Sequence, residues 1–214
     1  MHGLRPLFIC FHLYITFVVV TYVRHLNLKR KDKQMKNIVT IIALIIGMQT
    51  FAATMSEATF KKAVDKAVDF ITSKESFRST WYDDATGKTI ASKNAKCQGT
   101  PTIGHGLTGI YWDKQAITPE QSKAIVRKIV EQDARELLKA LNRAPSINNL
   151  AALCSLAYRR GVRPVLRSQT FKAINDGNWS KVSKEWRGFN TSGGKVMRGL
   201  NNRCNDEIKL FYEK

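Results

Sequence analysis

Apolar positions recur at helical spacing shortly after the first fifty residues. From Phe60 onward they are three and four residues apart, and lysines occupy the opposite face, which is typical of an amphipathic helix. Ser56 stands where a helix N-cap residue would, just before this series. The pattern predicts a helix that begins at Ser56 and ends at about Lys74, with its apolar face formed by Phe60, Val64, Ala67, Val68 and Ile71.

Further helices are indicated downstream by their start signals and apolar content. The run TPEQ, beginning at Thr118, is a capping box with proline at the first helical position, and it predicts a helix to about Leu141. Residues Ile147 to Arg160 are apolar almost all round, which predicts a buried central helix that ends at Gly161. Shorter helices are expected at about 168–175, 178–187 and 199–212.

Residues 75–110 lack helical periodicity. They are rich in Gly, Thr, Asp and Tyr, which favours short strands and turns. The fold class predicted for the chain is therefore α+β and mostly α, with a small β region near the start of one helical domain.

The amino-terminal part of the chain has the character of an export signal. Leu7 to Val23 carries no charged residue and is at the lower limit for a membrane span, and a basic cluster follows it. Met35 to Ala53 has the layout of a signal peptide: a short basic start, an apolar run and small residues at the end. We interpret 1–34 as an upstream extension or extra membrane segment, 35–53 as a signal peptide or signal anchor, and 54–214 as the exported folded domain.

Two other arrangements of these segments stay open. Two real membrane segments would make a hairpin whose basic bend lies in the cytoplasm, by the positive-inside rule. Alternatively, 37–53 is an uncleaved anchor that associates transiently with the membrane. Each arrangement places the later residues outside the cytoplasm, in the periplasm or the extracellular space.

The net charge of the chain is +18. Residues 1–52 contain seven basic residues and one acidic residue, so +12 remains on the exported part. A polyanionic partner is therefore expected, and export favours an acidic wall polymer or anionic membrane over nucleic acid.

Cysteine and histidine are scarce in the exported part, which holds Cys97, Cys154, Cys204 and the single histidine His105. At most one intramolecular disulfide can form, and the sequence leaves open whether Cys154 and Cys204 form it; Cys97 is the favoured free thiol. Without a CxxC motif or a His/Cys cluster, we expect no metal and no cofactor.

Two carboxylates stand out in the run KESFRSTWYDD. Glu75 follows the first predicted helix, and Asp84 comes nine residues later in a strand or turn. Glycoside hydrolysis requires one protonated carboxyl group to donate to the leaving oxygen and one ionised carboxylate. Phe77, Trp81 and Tyr82 would partly desolvate Glu75 and raise its pKa, whereas a pairing with Arg78 would lower it. Taken alone, Glu75 is also compatible with a solvated residue at a helix end.

The order of motifs resembles glycoside hydrolase family 24, the phage-type lysozymes or endolysins. ESFRSTWYDD followed by TIGHG resembles the Glu, Asp and Thr signature of that family. LCSLAYRRGV resembles its central helix, TFKAINDGNW a later helical segment, and SGGKVMRGLNNRCNDEIKLF its closing segment. The resemblance covers about Ala58 to Phe211.

This resemblance implies a lysozyme-like fold, with a small N-terminal β-hairpin region and a helical lobe around a buried central helix. It also implies hydrolysis of the bond between N-acetylmuramic acid and N-acetylglucosamine, with Glu75 as the general acid. Asp84 would position and activate water that Thr102 helps to hold. Tyr82 and His105 are expected to bind substrate, and His105 alternatively has a structural role in its turn. Inversion, as in the family, predicts carboxyl groups about 6.5–9.5 Å apart.

Three features depart from the family pattern. Eighteen positions separate Asp84 from Thr102, more than the family places there, so 88–101 is an insertion expected to form a longer β-hairpin or a loop over the cleft. Thr86, Thr89 and Thr100 are therefore lesser alternatives to Thr102. Strand alternation puts only one of Asp83 and Asp84 on the cleft side, and spacing favours Asp84. Arg159 stands where the family usually has Asn, so the resemblance does not extend to a substrate contact at that position.

The sequence predicts an exported, monomeric muramidase whose partner is bacterial peptidoglycan. One alternative is a lytic transglycosylase, which needs the acid but no water-activating Asp. Another is a non-enzymatic cationic protein that binds walls or membranes by charge.

Overall fold

The computed structural model of the chain describes residues 55–213. The predicted export segments, 1–34 and 35–53, lie outside the described residues. Within the described range, no helix is both long enough and apolar enough to cross a membrane.

Helices dominate the described residues. Their bounds are α1 Glu57–Lys74, α2 Pro119–Ala140, α3 Ile147–Arg160, α4 Val162–Leu166, α5 Gln169–Asn175, α6 Trp179–Trp186 and α7 Arg198–Tyr212, with a 3₁₀ helix at Arg187–Asn190. The strands are β1 Arg78–Asp83, β2 Pro101–Gly104, β3 Leu107–Thr108, β4 Thr191–Ser192 and β5 Lys195–Val196. The predicted α+β, mostly α fold class is confirmed.

Local side-chain caps explain where α1, α2 and α3 begin. The Ser56 side chain accepts a hydrogen bond from the Thr59 amide and caps α1. Thr118 and Gln121 form both bonds of the predicted capping box at α2, and Ser146 forms a second such box at α3. Each cap satisfies backbone N–H groups that the helix itself leaves without a partner. The predicted starts and ends of these three helices are confirmed.

Helix α3 lies at the centre of the hydrophobic core. It packs against α1, α2 and α7, and Leu150 through Ala157 are consecutively buried. A helix that is apolar all round has to be enclosed by other elements on every side. The expectation of a buried central helix is therefore confirmed.

Strands β1, β2 and β3 form an antiparallel sheet in that order. Tyr82 pairs with Thr102 and Asp83 with Pro101, so the end of β1 lies beside the start of β2. The turn after β2 needs glycine, because Gly104 has φ of +64° and a Cβ there would lie 2.4 Å from Ser122 Oγ. This close approach holds the turn against α2.

Helix α4 and the β4–β5 pair were not predicted. Gly161, with φ of +83°, ends α3 and at once begins α4. The SGGK turn carries the short β4–β5 pair, whose two glycines both have positive φ. Neither element has enough residues to show a period in the sequence.

The insertion 88–101 is irregular between Thr89, which bridges to Tyr82, and the start of β2. It folds as a loop instead of extending β1 and β2 into a longer hairpin. The cysteine question left open by the sequence is also answered, since Cys97, Cys154 and Cys204 are all free thiols.

Replacing Leu153, which is fully buried in α3, should create a cavity at the centre of the core. We expect Leu153→Ala to lower the free energy of unfolding by about 2–5 kcal/mol, as lost burial and an unfilled cavity add together. Urea denaturation followed by circular dichroism measures this change. Ile110→Ala, at a position 83% exposed, is the control and should change stability by less than about 0.5 kcal/mol. Equal effects of the two substitutions would contradict this description of the core.

Candidate active site

Glu75 is the first residue after α1. Its backbone N–H donates to Ile71 O and closes the helix, while its side chain stays 31% exposed. The turn after β2 passes over it, so that a Cβ on Gly106 would lie 3.7 Å from Glu75 Oε2. Tyr158 of α3 anchors this turn, because its hydroxyl donates to His105 O at 2.7 Å. Three separate elements therefore enclose the Glu75 carboxyl group.

Arg203 of α7 makes an ion pair with Glu75, with Nη1 3.3 Å from Oε1. The same guanidinium donates to Glu207 Oε1 at 3.3 Å and to Ser155 Oγ. Glu207 is fully buried and also accepts hydrogen bonds from Arg159 and from Trp186 Nε1. Arg203 is thus held between a buried carboxylate and the carboxyl group of Glu75.

The pKa of Glu75 is raised above its usual value by burial. The positive charges of Arg203 and Arg159 oppose this change, and the negative charge of Glu207 reinforces it. Desolvation disfavours the charged form of a carboxyl group, so Glu75 keeps its proton to a higher pH than an exposed Glu does. This behaviour suits a proton donor.

Arg78 does not pair with Glu75. Its guanidinium lies over the Tyr82 ring, 4.8 Å from the centroid, and donates to Gly87 O. The counter-ion of Glu75 comes instead from Arg203, which is distant in sequence. Of the aromatics expected around Glu75, Trp81 is buried and donates to Lys114 O, whereas Phe77 packs against His105.

Asp84 follows directly after β1 and is exposed. Its Oδ1 accepts a hydrogen bond from the Thr100 amide at 2.6 Å, and its own amide donates to Thr100 O at 3.3 Å. Thr102 is buried on β2, and its hydroxyl donates to the same Thr100 carbonyl at 3.0 Å. Asp84 and Thr102, the two residues predicted to position water, are therefore both hydrogen-bonded to the backbone of Thr100.

Asp83 is only 3% exposed. Its carboxylate accepts hydrogen bonds from the hydroxyl of Thr86 and from the amides of Ala85, Gln98 and Gly99. Burial acts to raise the pKa of Asp83, but these four bonds, led by that of Thr86, outweigh it and lower the pKa. Asp83 thus has its hydrogen-bonding capacity filled within the loop, while Asp84 faces solvent.

Tyr82 lies near both carboxyl groups. It is partly buried on β1, and burial followed by the negative charge of Glu75 raises the pKa of its hydroxyl, with a smaller contribution from Asp84. Tyr82 is therefore close enough to Glu75 and to Asp84 for both charges to act on its hydroxyl, and Thr102 pairs with Tyr82 across the sheet.

His105 is 8% exposed and contacts Ser122 twice, through its backbone amide at 3.0 Å and its Nδ1 at 2.9 Å. Burial, aided by the charge of Lys123, lowers the pKa of His105. These contacts favour the structural alternative for His105, since they fasten the turn to α2.

The residues beneath Glu75 were not predicted from the sequence. Arg159 donates to Glu207 and to Phe189 O, so its side chain lies in the protein interior. Arg203 and Glu207 are four residues apart in the closing motif, a spacing that places both on one face of α7. That spacing is the one signal that could have found them. Their connection to Glu75 depends on tertiary packing.

The matched family model is described as phage lysozyme and covers residues 72–207. This chain belongs to the phage lysozyme family. The match includes Glu75, Asp84, Thr102 and the Arg203–Glu207 pair.

Individual relatives agree with this membership. The chain is 34% identical to an endolysin of Bacillus phage PZA over 51% of its own length and 43% of that relative, so it spans less than half of that protein. The structure of an endolysin from Escherichia coli O157:H7 phage FAHEc1 matches with a TM-score of 0.56 at 25% identity, covering 69% of this chain and 91% of that one. The muramidase domain of SpmX from Asticaccaulis excentricus matches in fold with a TM-score of 0.57 at 19% identity, covering 76% of this chain and 99% of that one. The predicted lysozyme-like fold is confirmed.

Removing the Arg203 charge should raise the pKa of Glu75 further, because a cation beside a carboxyl group favours its ionised form. An NMR titration of the Glu75 carboxyl carbon measures this in Arg203→Met. The control Arg135→Met removes a cation that pairs with Glu57 on the surface, 3.3 Å away, and should leave the Glu75 titration unchanged. A Glu75 pKa that stays constant or falls in Arg203→Met would show that the ion pair does not act on this carboxyl group.

Proposed function

We propose that this chain is a peptidoglycan-degrading lysozyme that hydrolyses the β-1,4 bond between N-acetylmuramic acid and N-acetylglucosamine. The observation that carries the proposal is the contrast between two carboxyl groups whose charges both act on Tyr82. Glu75 is partly buried with a raised pKa, and Asp84 is exposed to solvent. Two carboxyl groups with different environments are what acid and base roles in glycoside hydrolysis require.

Glu75 is the general acid in the proposed mechanism. Its proton passes to the glycosidic oxygen as the bond to the sugar breaks. The resulting Glu75 carboxylate lies beside Arg203, whose positive charge stabilises the ionised form. Burial thus supports the protonated state before the reaction, and Arg203 limits the cost of the charged state after it.

Asp84 and Thr102 position the attacking water in this mechanism. The Thr102 hydroxyl donates to Thr100 O, so its oxygen lone pairs are available to accept a hydrogen bond from water. The Asp84 carboxylate would take the other water proton as the oxygen attacks the sugar carbon. Family membership, which spans all three residues, supports these roles.

The substrate and location of the proposed enzyme agree with its charge. A net charge of +12 on residues 53–214 attracts an acidic wall polymer. The predicted signal segment at 35–53 would export the domain or hold it transiently at the membrane. We propose a monomer that acts on the bacterial wall, either in phage lysis or as a secreted bacterial lysozyme, with Tyr82 contacting substrate.

Mass spectrometry of digested peptidoglycan tests this proposal. Wild-type protein should release fragments with reducing muramic-acid ends. Glu75→Gln should lower the rate by about 10²–10⁴-fold, because it removes the proton donor, and Asp84→Asn should also nearly abolish cleavage. Glu57→Gln makes the same chemical change on the exposed face of α1 and serves as the control.

Other outcomes identify the alternatives. Anhydromuramyl ends together with full activity of Asp84→Asn would indicate a lytic transglycosylase. Bacterial killing with intact glycan, equal in wild type and Glu75→Gln, would indicate a cationic wall- or membrane-binding protein and would overturn the enzymatic proposal.

A further inference from the structure

Both ends of the loop 84–100 donate hydrogen bonds to one carboxylate, that of Asp83. The Asp83 oxygens accept bonds from Ala85 N and Thr86 Oγ1 at the start of the loop, at 3.1 and 2.8 Å. They also accept bonds from Gln98 N and Gly99 N at its end, at 3.2 and 2.8 Å. One buried side chain therefore joins the two ends of an otherwise irregular segment.

This closure places the backbone of Thr100 against Asp84. The Thr100 amide lies 2.6 Å from Asp84 Oδ1, immediately after the two amides that Asp83 holds. Among the donors of residues 55–213, none bonds to Asp84 Oδ2. The loop thus constrains one oxygen of an exposed carboxylate and leaves the other for solvent.

Gly99 permits this approach. A Cβ at position 99 would lie 2.0 Å from Asp84 Oδ1 and 2.7 Å from Ala85 N. Its φ is not positive, so the need for glycine comes from the contact and not from the backbone conformation. A side chain at Gly99 would separate the loop from Asp84.

We propose that the insertion 88–101 positions the Asp84 carboxylate, with Asp83 as the anchor of the loop and Gly99 as the point of close approach. This inference rests on the proposed hydrolytic function. An exposed carboxylate at a strand end would otherwise rotate among several orientations. The Thr100 amide holds it in one orientation relative to Thr102, whose hydroxyl donates to the same residue. Asp83 and Gly99 are positioning residues, since they act through Asp84.

Gly99→Ala is the decisive variant. We expect kcat on a soluble glycan strand to fall by about 10²-fold, because a displacement of about 1 Å in a reacting group has that effect, with KM within about twofold of wild type. Gly188→Ala is the matched control, since a Cβ there has no heavy atom within 4 Å and its φ is not positive. Gly188→Ala should keep wild-type kcat and the wild-type thermal midpoint. Gly99→Ala should lower the midpoint, because its Cβ would also lie 2.7 Å from the Ala85 backbone N, but the variant should remain folded at the assay temperature, as circular dichroism can verify.

Two further measurements separate positioning from a general loss of structure. In an Asp84→Asn background, Gly99→Ala should cause no additional fall in residual activity, because the group it positions is already gone. The Thr100 amide proton should move upfield by NMR in both Asp84→Asn and Gly99→Ala, as its bond to the carboxylate is lost. Asp83→Asn replaces one accepting oxygen with an NH₂ group and should lower kcat in the same way as Gly99→Ala.

The outcomes distinguish this inference from the function on which it rests. If wild type cleaves glycan and depends on Glu75, but Gly99→Ala keeps wild-type kcat, the positioning role is wrong and the hydrolytic function stands. An additive fall of activity in the Gly99→Ala, Asp84→Asn double variant would also overturn it. If wild type cleaves no glycan, both proposals fail together.

Discussion

The buried carboxylate of Glu207 is the interaction on which the surroundings of Glu75, the proposed acid, depend. It accepts hydrogen bonds from Ser155 and Arg159 on α3, Trp186 on α6 and Arg203 on α7. A carboxyl group is tolerated in the protein interior only when cations and hydrogen-bond donors surround it, as two arginines, Ser155 and Trp186 do here. Because its partners come from three helices, the same interaction that satisfies this charge also sets where those helices meet.

Arg203 connects this hydrogen-bonded cluster to Glu75, because its guanidinium contacts both Glu207 and Glu75. Arg159 and Arg203 together outweigh Glu207, so the region beneath Glu75 carries a net positive charge. This charge opposes the effect of burial on the pKa of Glu75, which nevertheless remains raised. The acid is therefore held between two influences, with desolvation favouring its proton and the arginines favouring its release.

Local sequence signals predicted the elements that form through local interactions. The Ser56 cap and the Thr118 capping box satisfy amides within three residues, and the helices they begin were predicted at nearly their observed bounds. Prediction failed for α4 and the β4–β5 pair, which are too short for a hydrophobic period. Spacing favoured Asp84, which is exposed, over its buried neighbour Asp83, yet it did not indicate that Asp83 closes a loop on amides fifteen and sixteen residues away.

The sequence alone was sufficient to predict the mostly helical fold and the buried central helix, and to select Glu75, Asp84 and Thr102 as candidates. Periodicity, caps and motif order can be recognised from the sequence without knowledge of the packing. Tertiary structure decided which cation faces Glu75, which residue organises the insertion and whether the cysteines bond. Each of these depends on groups that are distant in the chain and meet only when the helices pack. Arg203 rather than Arg78 is the counter-ion for that reason: α7 brings it across the core to the end of α1.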